Sequence, residues 1–503
     1  MLYHNIRISI SGHVLHSKGE TVKRLVILLL PALLLPLSVA QAEEEEPGWV
    51  SGQAGDGESA PRQQEGPQAA ILDRGRLTAG TDFNPAISLI LDGVYRNDFS
   101  GEVGDPPGFG GGHDHDHGHG HDHAHGIEEG MQLREAELTL TGTVDPYFDA
   151  VGVIGIHEGG GVDLEEAYIQ TRALPGGLQL KAGKFLSDIG YINRQHIHDW
   201  DFVDQPLVMR EIFGDHGLQD TGVQMTWLAP LPFYNQYGIE VLQGSNDGVA
   251  RYSGSGSHTI AGYDTDEDPS DARERSQIDY GLDDHSGPRL VTAFSRFAPD
   301  LGFNHAARFG VSGGYASSWQ DADEHGSGRV DVWDGDAWFA GLDAVYKYDS
   351  GRAYGHGNWT VQAEYFYREL DLDYENRVPD EWSNDAHAGF NIEDEWSQKA
   401  RQDGFYLQAL YGFAPRWNAG LRAEAVGLTN ESAEPDRDAG AFEEFDTTYR
   451  YSAQVRFMPT EFSILRAQLN YKDLPDHDGH DHDSWSFMLQ YNISLGEHGA
   501  HEF

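Results

Sequence analysis

The chain has 503 residues, no cysteine, and 82 acidic against 34 basic side chains, for a formal net charge of −48. Lack of cysteine excludes disulfides, thiolate metal sites and thiol nucleophiles, and so acidic a chain repels nucleic acid and attracts cations. Apolar content is only 39%, yet 11% of residues are aromatic and 61 are glycine; a disordered acidic chain would lack those aromatics, and a thin apolar skin over a wet interior explains them.

The first elements are processing signals. Lys23 and Arg24 precede an apolar run from Leu25 to Leu37, and Ala40-Gln41-Ala42 offers a small-residue cleavage site, so residues 1–42 read as a signal peptide. The run is too short and proline-broken for a spanning helix, which needs about 20 residues. The polar stretch ahead of Lys23 is long for such a leader, which points to translation starting at Val22. Residues 43–83, rich in Glu, Gly, Gln and Pro, read as a flexible periplasmic tail.

From Asn84 onward the dominant pattern is period-two alternation, expected of half-buried strands. It starts with Ile87, Leu89, Leu91, Gly93 and Tyr95 on one face, and the segment 101–130 follows as a connection. Within it His113, His115, His117, His119, His121, His123 and His125 alternate with Asp114, Asp116, Asp122, Gly118 and Gly120. Neutral imidazole with carboxylate suits Zn²⁺, Ni²⁺, Cu²⁺ or Co²⁺. The competing view, a solvated low-complexity loop, is weakened by a second tract of the same composition, His477, His480 and His482 with Asp478, Asp481 and Asp483, in segment 472–483.

Between these tracts short and long connections alternate. The short ones carry proline at Val144-Asp145-Pro146, Ala173–Gly177, Ala229–Pro232, Ala298–Asp300, Ala414–Arg416 and Met458-Pro459-Thr460, with Asp349-Ser350-Gly351 the exception. Longer polar segments include 187–217, 245–287, 371–401 and 429–444; the stretch at Gly159-Gly160-Gly161 is short where a long one is due. Tyr406–Tyr411, Phe462–Tyr471 and Trp485–Leu495 are further alternating runs, the last with Trp485, Phe487, Leu489, Tyr491, Ile493 and Leu495 on one face. The expected fold is all-β: a 16-stranded antiparallel transmembrane barrel of the outer-membrane type, over residues 84–503, with short periplasmic turns and long extracellular loops. A soluble propeller or sandwich would need apolar packing on both strand faces, and here one face is polar. With both termini periplasmic, the two histidine tracts fall in the first and last outer connections, which are neighbours in a closed barrel.

Segment 187–217 holds Arg194, His196, His198, Asp199, Asp201, Asp204, Arg210, Glu211 and His216. It is the candidate constriction loop, with His196, His198, Asp199, Asp201 and His216 as candidate pore ligands. An internal network of ion pairs fixing the loop to the wall is the equal alternative. The acidic stretch 264–284 lacks the spacing of a calcium loop and reads as solvated surface. His498 and His501 read as exposed residues without a specific role.

The motif Leu164-Glu165-Glu166-Ala167-Tyr168 followed by Leu180-Lys181-Ala182-Gly183-Lys184-Phe185, with a long loop directly after it, resembles the phosphate-selective porin O and P superfamily. Asn84–Gly93 and the ending Ser494–His501 resemble outer-membrane proteins of proteobacteria associated with zinc uptake. Phosphate-selective members line their pores with lysine and arginine, whereas this chain has seven lysines in all, so the resemblance does not imply phosphate transport.

No H-E-x-x-H or phosphate loop is present and no G-x-S-x-G string stands at a strand-to-helix turn, so an enzyme is not expected, an outer-membrane protease or lipase being the alternative. The 41 residues of segment 43–83 are too few for the plug of a TonB-driven receptor, whose barrel has about 22 strands. The sequence therefore predicts an outer-membrane, porin-like channel of a Gram-negative cell. It would gather divalent metal, zinc first, at its histidine-rich loops and pass cations inward down their gradient, favoured by a negative lumen and requiring no cofactor. The alternative is a non-conducting barrel that buffers metal or acts in adhesion. Expected partners are outer-membrane lipid, lipopolysaccharide and divalent ions, not nucleic acid; a homotrimer is compatible with this reading.

Overall fold

A computed structural model describes residues 85–100, 104–109, 127–158, 161–254, 257–258, 278–279, 282, 284–324, 330–379, 390–433, 443–475 and 481–496. The expected signal peptide and tail, the tract 113–125, His477, His480, His498, His501 and most of 264–284 lie outside the described residues, as does the side chain of His482.

Sixteen antiparallel strands form the barrel: β1 Ala86–Ser100, β2 Gly130–Thr143, β3 Phe148–Ile156, β4 Val162–Thr171, β5 Leu178–Leu186, β6 Gln219–Leu228, β7 Tyr234–Leu242, β8 Leu290–Ala298, β9 His305–Glu324, β10 Val330–Tyr348, β11 Trp359–Pro379, β12 Phe390–Ala414, β13 Trp417–Ala433, β14 Thr448–Thr460, β15 Ser463–Pro475 and β16 Asp481–Gly496. Each pairs with the next, and β1 pairs with β16 from Ser88↔Gly496 to Ser100↔Trp485, so the sheet closes. Closure leaves no edge strand with unpaired backbone, which hydrocarbon would not tolerate. It also places side by side the strand ends from which the two histidine-bearing connections depart.

Alternation puts apolar side chains outside and polar ones inside. On β16, Trp485, Leu489, Tyr491 and Leu495 are exposed, while Ser484, Gln490, Asn492 and Ser494 are buried in the lumen. Aromatic side chains gather near both ends of the strands: Trp359–Tyr411 and Trp417–Phe457 towards the short turns, Trp338–Tyr367 and Tyr471–Trp485 towards the long connections. These are the girdles of a transmembrane barrel.

Three expectations shift. The segment expected as an outer loop at 371–401 is mostly strand: β11 and β12 have 21 and 25 residues, and a tilted span needs only about 9–11. Similarly, β13 continues into the polar stretch 429–444, and β15 and β16 extend into 472–483. The turn expected at Met458–Thr460 lies at Glu461-Phe462; Pro459 is accommodated where the β14–β15 register shifts between Phe457 and Thr460.

The lumen is not uniformly negative. Arg296, Arg308, Arg368, Arg422, Arg450 and Arg466, from β8 to β15, are all buried in it. Carboxylates such as Asp92, Asp188, Glu240, Asp343, Glu364 and Glu424 are buried alongside them, so both signs line the interior.

Candidate functional site

The chain between β5 and β6 folds into the barrel. β5 begins the departure: its ladder with β4 covers only Ala167↔Lys184 to Gln170↔Lys181. Gly183 sits at φ 137 with Ala167 O so close that a side chain would collide with it. Beyond that point the lost ladder bonds are replaced by side chains, Lys184 Nζ donating to Leu164 O at 2.7 Å and Leu186 N–H to Glu166 Oε2 at 3.2 Å. The residues of the "EEAY…LKAGKF" motif thus peel a strand from the wall.

A loop inside a barrel cannot satisfy its backbone by sheet pairing, so the wall must supply partners. Glu364 accepts from Tyr191 N–H and Ile192 N–H at 2.8 and 3.0 Å, and Glu424 from Leu207 N–H at 2.8 Å. Arg422, Arg450 and Arg466 donate to the carbonyls of Asp204, Gln205 and Trp200 at 2.9, 2.6 and 2.8 Å. This explains the buried arginines. The short helix α1, Leu207–Phe213, would not persist alone; it is held by burying Leu207, Val208, Met209, Ile212 and Phe213, with Phe213 edge-on to Phe339 and Phe366 at 5.1 and 5.0 Å. Each such side chain contributes roughly 1.5–3 kcal/mol.

The first outer connection also enters the mouth. Phe109 is buried, and Gly108 O and Pro107 O accept from Gln402 Nε2 and Asn430 Nδ2 at 2.6 and 2.8 Å. Ile127 packs with Val94, Val203 and Met488.

Beneath the inward loop, on the side of the short turns, lies a cavity of about 550 Å³. One wall carries His196 and His198 with Glu137 and Glu166; Lys181, Lys347, Arg456 and Arg466 line other parts. The imidazoles are stacked, 5.8 Å between centroids and 7° from parallel. His196 Nδ1 lies 3.1 Å from Glu165 Oε2 and 3.4 Å from Glu137 Oε2, and its Nε2 lies 2.7 Å from Glu166 Oε1. His198 Nδ1 lies 3.2 Å from Glu137 Oε2, and Nε2 lies 3.6 Å from Asp199. Burial opposes charging of these rings, but Glu137, Glu165 and Glu166 outweigh it and raise the pKa of His196 well above its ordinary value. For His198 burial is likewise opposed and overcome, by Asp199 and Glu137.

Three glutamates of this cluster come from two β-bulges, and Glu137 follows Glu135 inward by regular alternation. At the β1–β2 shift between Asp92 and Gly93, Arg134 and Glu135 both become buried; at the β3–β4 shift between Val153 and Ile154, Glu165 and Glu166 do. A bulge re-aims a side chain that alternation would send outward.

Of the residues singled out in the sequence, His196 and His198 come together, and Asp199 stands at the exposed margin. Asp201 faces Gln408 and Arg456, at 3.4 and 3.5 Å. Asp204 pairs with Arg422 and Arg450, and Arg210 with Glu211. His216 is exposed, within electrostatic range of Glu165 and His157. The wall network expected as the alternative is therefore present for Asp204, and the imidazole–carboxylate cluster is present beside it. Glu135 and Glu137 were not singled out, although their i, i+2 spacing on one strand was visible.

A closed 16-stranded barrel with an apolar belt and a loop folded inward after its fifth strand defines a porin-like transmembrane protein. The chain belongs to one family with an uncharacterized protein of Aquifex aeolicus (strain VF5), 31% identical over 436 residues that cover 84% of this chain and 80% of the relative. No family model matches the chain. Similar solved structures include the outer membrane channel DcaP of Acinetobacter baumannii, with TM-score 0.45, 10% identity, and coverage of 82% of this chain and 97% of that one. OmpT, an outer membrane protein of Vibrio cholerae, has TM-score 0.44 and 10% identity, with 82% and 100% covered.

Proposed function

We propose that this protein is an outer-membrane, porin-like channel that gathers divalent metal, zinc first, at its histidine-rich outer connections and lets cations diffuse towards the periplasm. The observation that carries the reading is the imidazole–carboxylate wall facing the cavity under the constriction loop. Such a wall offers a cation successive weak ligands, and conduction requires sites that release as readily as they bind. The basic residues on other parts of the cavity make selectivity depend on that wall rather than on net charge. The aromatic girdles support contact with outer-membrane lipid. Planar-bilayer recording tests the reading: a reversal potential favouring cations is expected in a salt gradient, and folded protein that passes no cation-selective current would sink it.

One observation favours a second reading, a barrel that buffers metal without conducting. The inward loop and residues 104–109 both lie inside the barrel wall and are hydrogen-bonded to it. Metal binding by the purified protein without current would select this alternative.

A further inference from the structure

We propose that His196, His198, Glu135, Glu137 and Glu165 form a binding site for a divalent transition metal, built into the inner face of the constriction and separate from the histidine tracts. It deepens the channel reading and rests on it for the site's role in transport, though not for its existence.

Two trios of donors converge there: Glu137, Glu165 and His196, and Glu135, Glu137 and His198, each with its ligand atoms within 4.8 Å of one another. Glu137 belongs to both. Metal–ligand distances of about 2.0–2.2 Å in a tetrahedral shell put neighbouring donors roughly 3.3–3.6 Å apart. The separations around His196 Nδ1 are 3.1 Å to Glu165 Oε2 and 3.4 Å to Glu137 Oε2, and His198 Nδ1 lies 3.2 Å from Glu137 Oε2. The donors already stand close to the spacing an ion would impose.

A second observation points to a ligand. Glu135 Oε1 is buried and makes no hydrogen bond, and Glu137 Oε2 has only the two imidazoles beside it, at 3.4 and 3.2 Å; Glu135 and Glu137 are each 2% exposed. A carboxylate taken out of water without a full set of partners is costly. An imidazole–glutamate bridge accounts for Glu137 and His198 but leaves the buried Glu135 carboxyl without an ion-paired partner, which a cation among the three would supply.

The backbone is shaped for this cluster. Both bulges turn an extra side chain inward, and Gly155 of β3 leaves the gap between them: a methyl group there would collide with Glu165 Oε1 and come within 3.2 Å of Glu135 Oε1. Mixed imidazole and carboxylate donors suit Zn²⁺, Co²⁺ or Ni²⁺ better than Ca²⁺, which prefers oxygen alone. The shared Glu137 gives two adjacent positions, so an ion can move from one trio to the other without leaving the site.

The test uses the full chain, folded in detergent, with residues 113–125 deleted and His477, His480 and His482 changed to Asn, so that the outer tracts cannot mask the site. Titration with Zn²⁺ against a chromophoric chelator should still show saturable binding. Glu137→Gln should weaken it at least about tenfold, as should His196→Gln, with heat-modifiable migration unchanged. Equal affinity in parent and Glu137→Gln would overturn the site. Should either variant fail to fold, labelling of His196 and His198 in the parent by diethyl pyrocarbonate decides: protection by Zn²⁺ is expected, and identical labelling with and without Zn²⁺ overturns the proposal. Equilibrium binding needs no conduction, so a barrel that binds but carries no current defeats the channel reading alone. One that carries cation current but shows no such binding defeats this site alone.

Discussion

Gly155 of β3 stands in register with Glu137 of β2, and the missing side chain of one makes room for the carboxylates clustered around the other. Gly155→Ala should therefore push Glu165 aside. Overpacking of this kind costs roughly 1–3 kcal/mol, so a modest fall in urea midpoint is expected together with loosened contact between His196 and Glu165. Histidine NMR would register the second effect as a displaced His196 resonance; an unshifted resonance would mean the cluster tolerates a methyl group.

Asp204 anchors the inward loop to the wall electrostatically. Burial alone would raise its pKa, but Arg422 and Arg450, at 2.5 and 2.9 Å, outweigh burial and hold it well below the ordinary carboxylate range. Its stabilisation is therefore complete above the unfolded pKa near 4 and is lost as pH falls through the depressed folded value. Asp204→Ala, which leaves buried guanidinium groups short of a partner, should cost about 3–5 kcal/mol and expose the loop to protease at neutral pH. Asp204→Asn should flatten the acid limb of the unfolding profile.

The His196 contact has the opposite sign. Because its folded pKa is raised, the stability it contributes is fully present below the unfolded value near 6.5 and disappears as pH rises through the folded one. Limited proteolysis of segment 187–217 should accelerate on the alkaline side of neutrality. His196→Gln should remove that pH dependence while leaving the acid limb set by Asp204. Alkaline acceleration that persists in the variant would place the responsible group elsewhere.

Deleting residues 113–125 removes the seven alternating histidines but keeps Phe109 and Ile127, the two residues that pack in the mouth. Folding, heat-modifiable migration and single-channel conductance should change little, while total zinc uptake by the protein falls sharply. Failure of the deletion to assemble a barrel would assign the tract a structural part.

The barrel was legible because its outer face is apolar: the alternation of Trp485 to Leu495 and the prolines of the short turns carry strand count and topology directly. The upper halves of β11 and β12 were not, since Asp371, Asp373, Lys399 and Arg401 lie outside the apolar belt and read as polar loop. The site was half legible. His196 and His198 stood out by residue type and spacing. Their glutamate partners did not, because adjacent Arg134-Glu135 and Glu165-Glu166 both turn inward only through bulges, and period-two reasoning sends one of each pair to the lipid. The mixed charge of the lumen was hidden for another reason. A net charge of −48 is a sum over the chain, and it says nothing of where each sign is spent.

Phe109 and Ile127 are the two ends of a tether. One is buried beside the wall and the other is fixed among Val94, Val203 and Met488, so residues 110–126 begin and end within the rim of the barrel. Both ends being packed, a change confined between them leaves those contacts intact, whereas one that removes either end strips a buried side chain from the mouth.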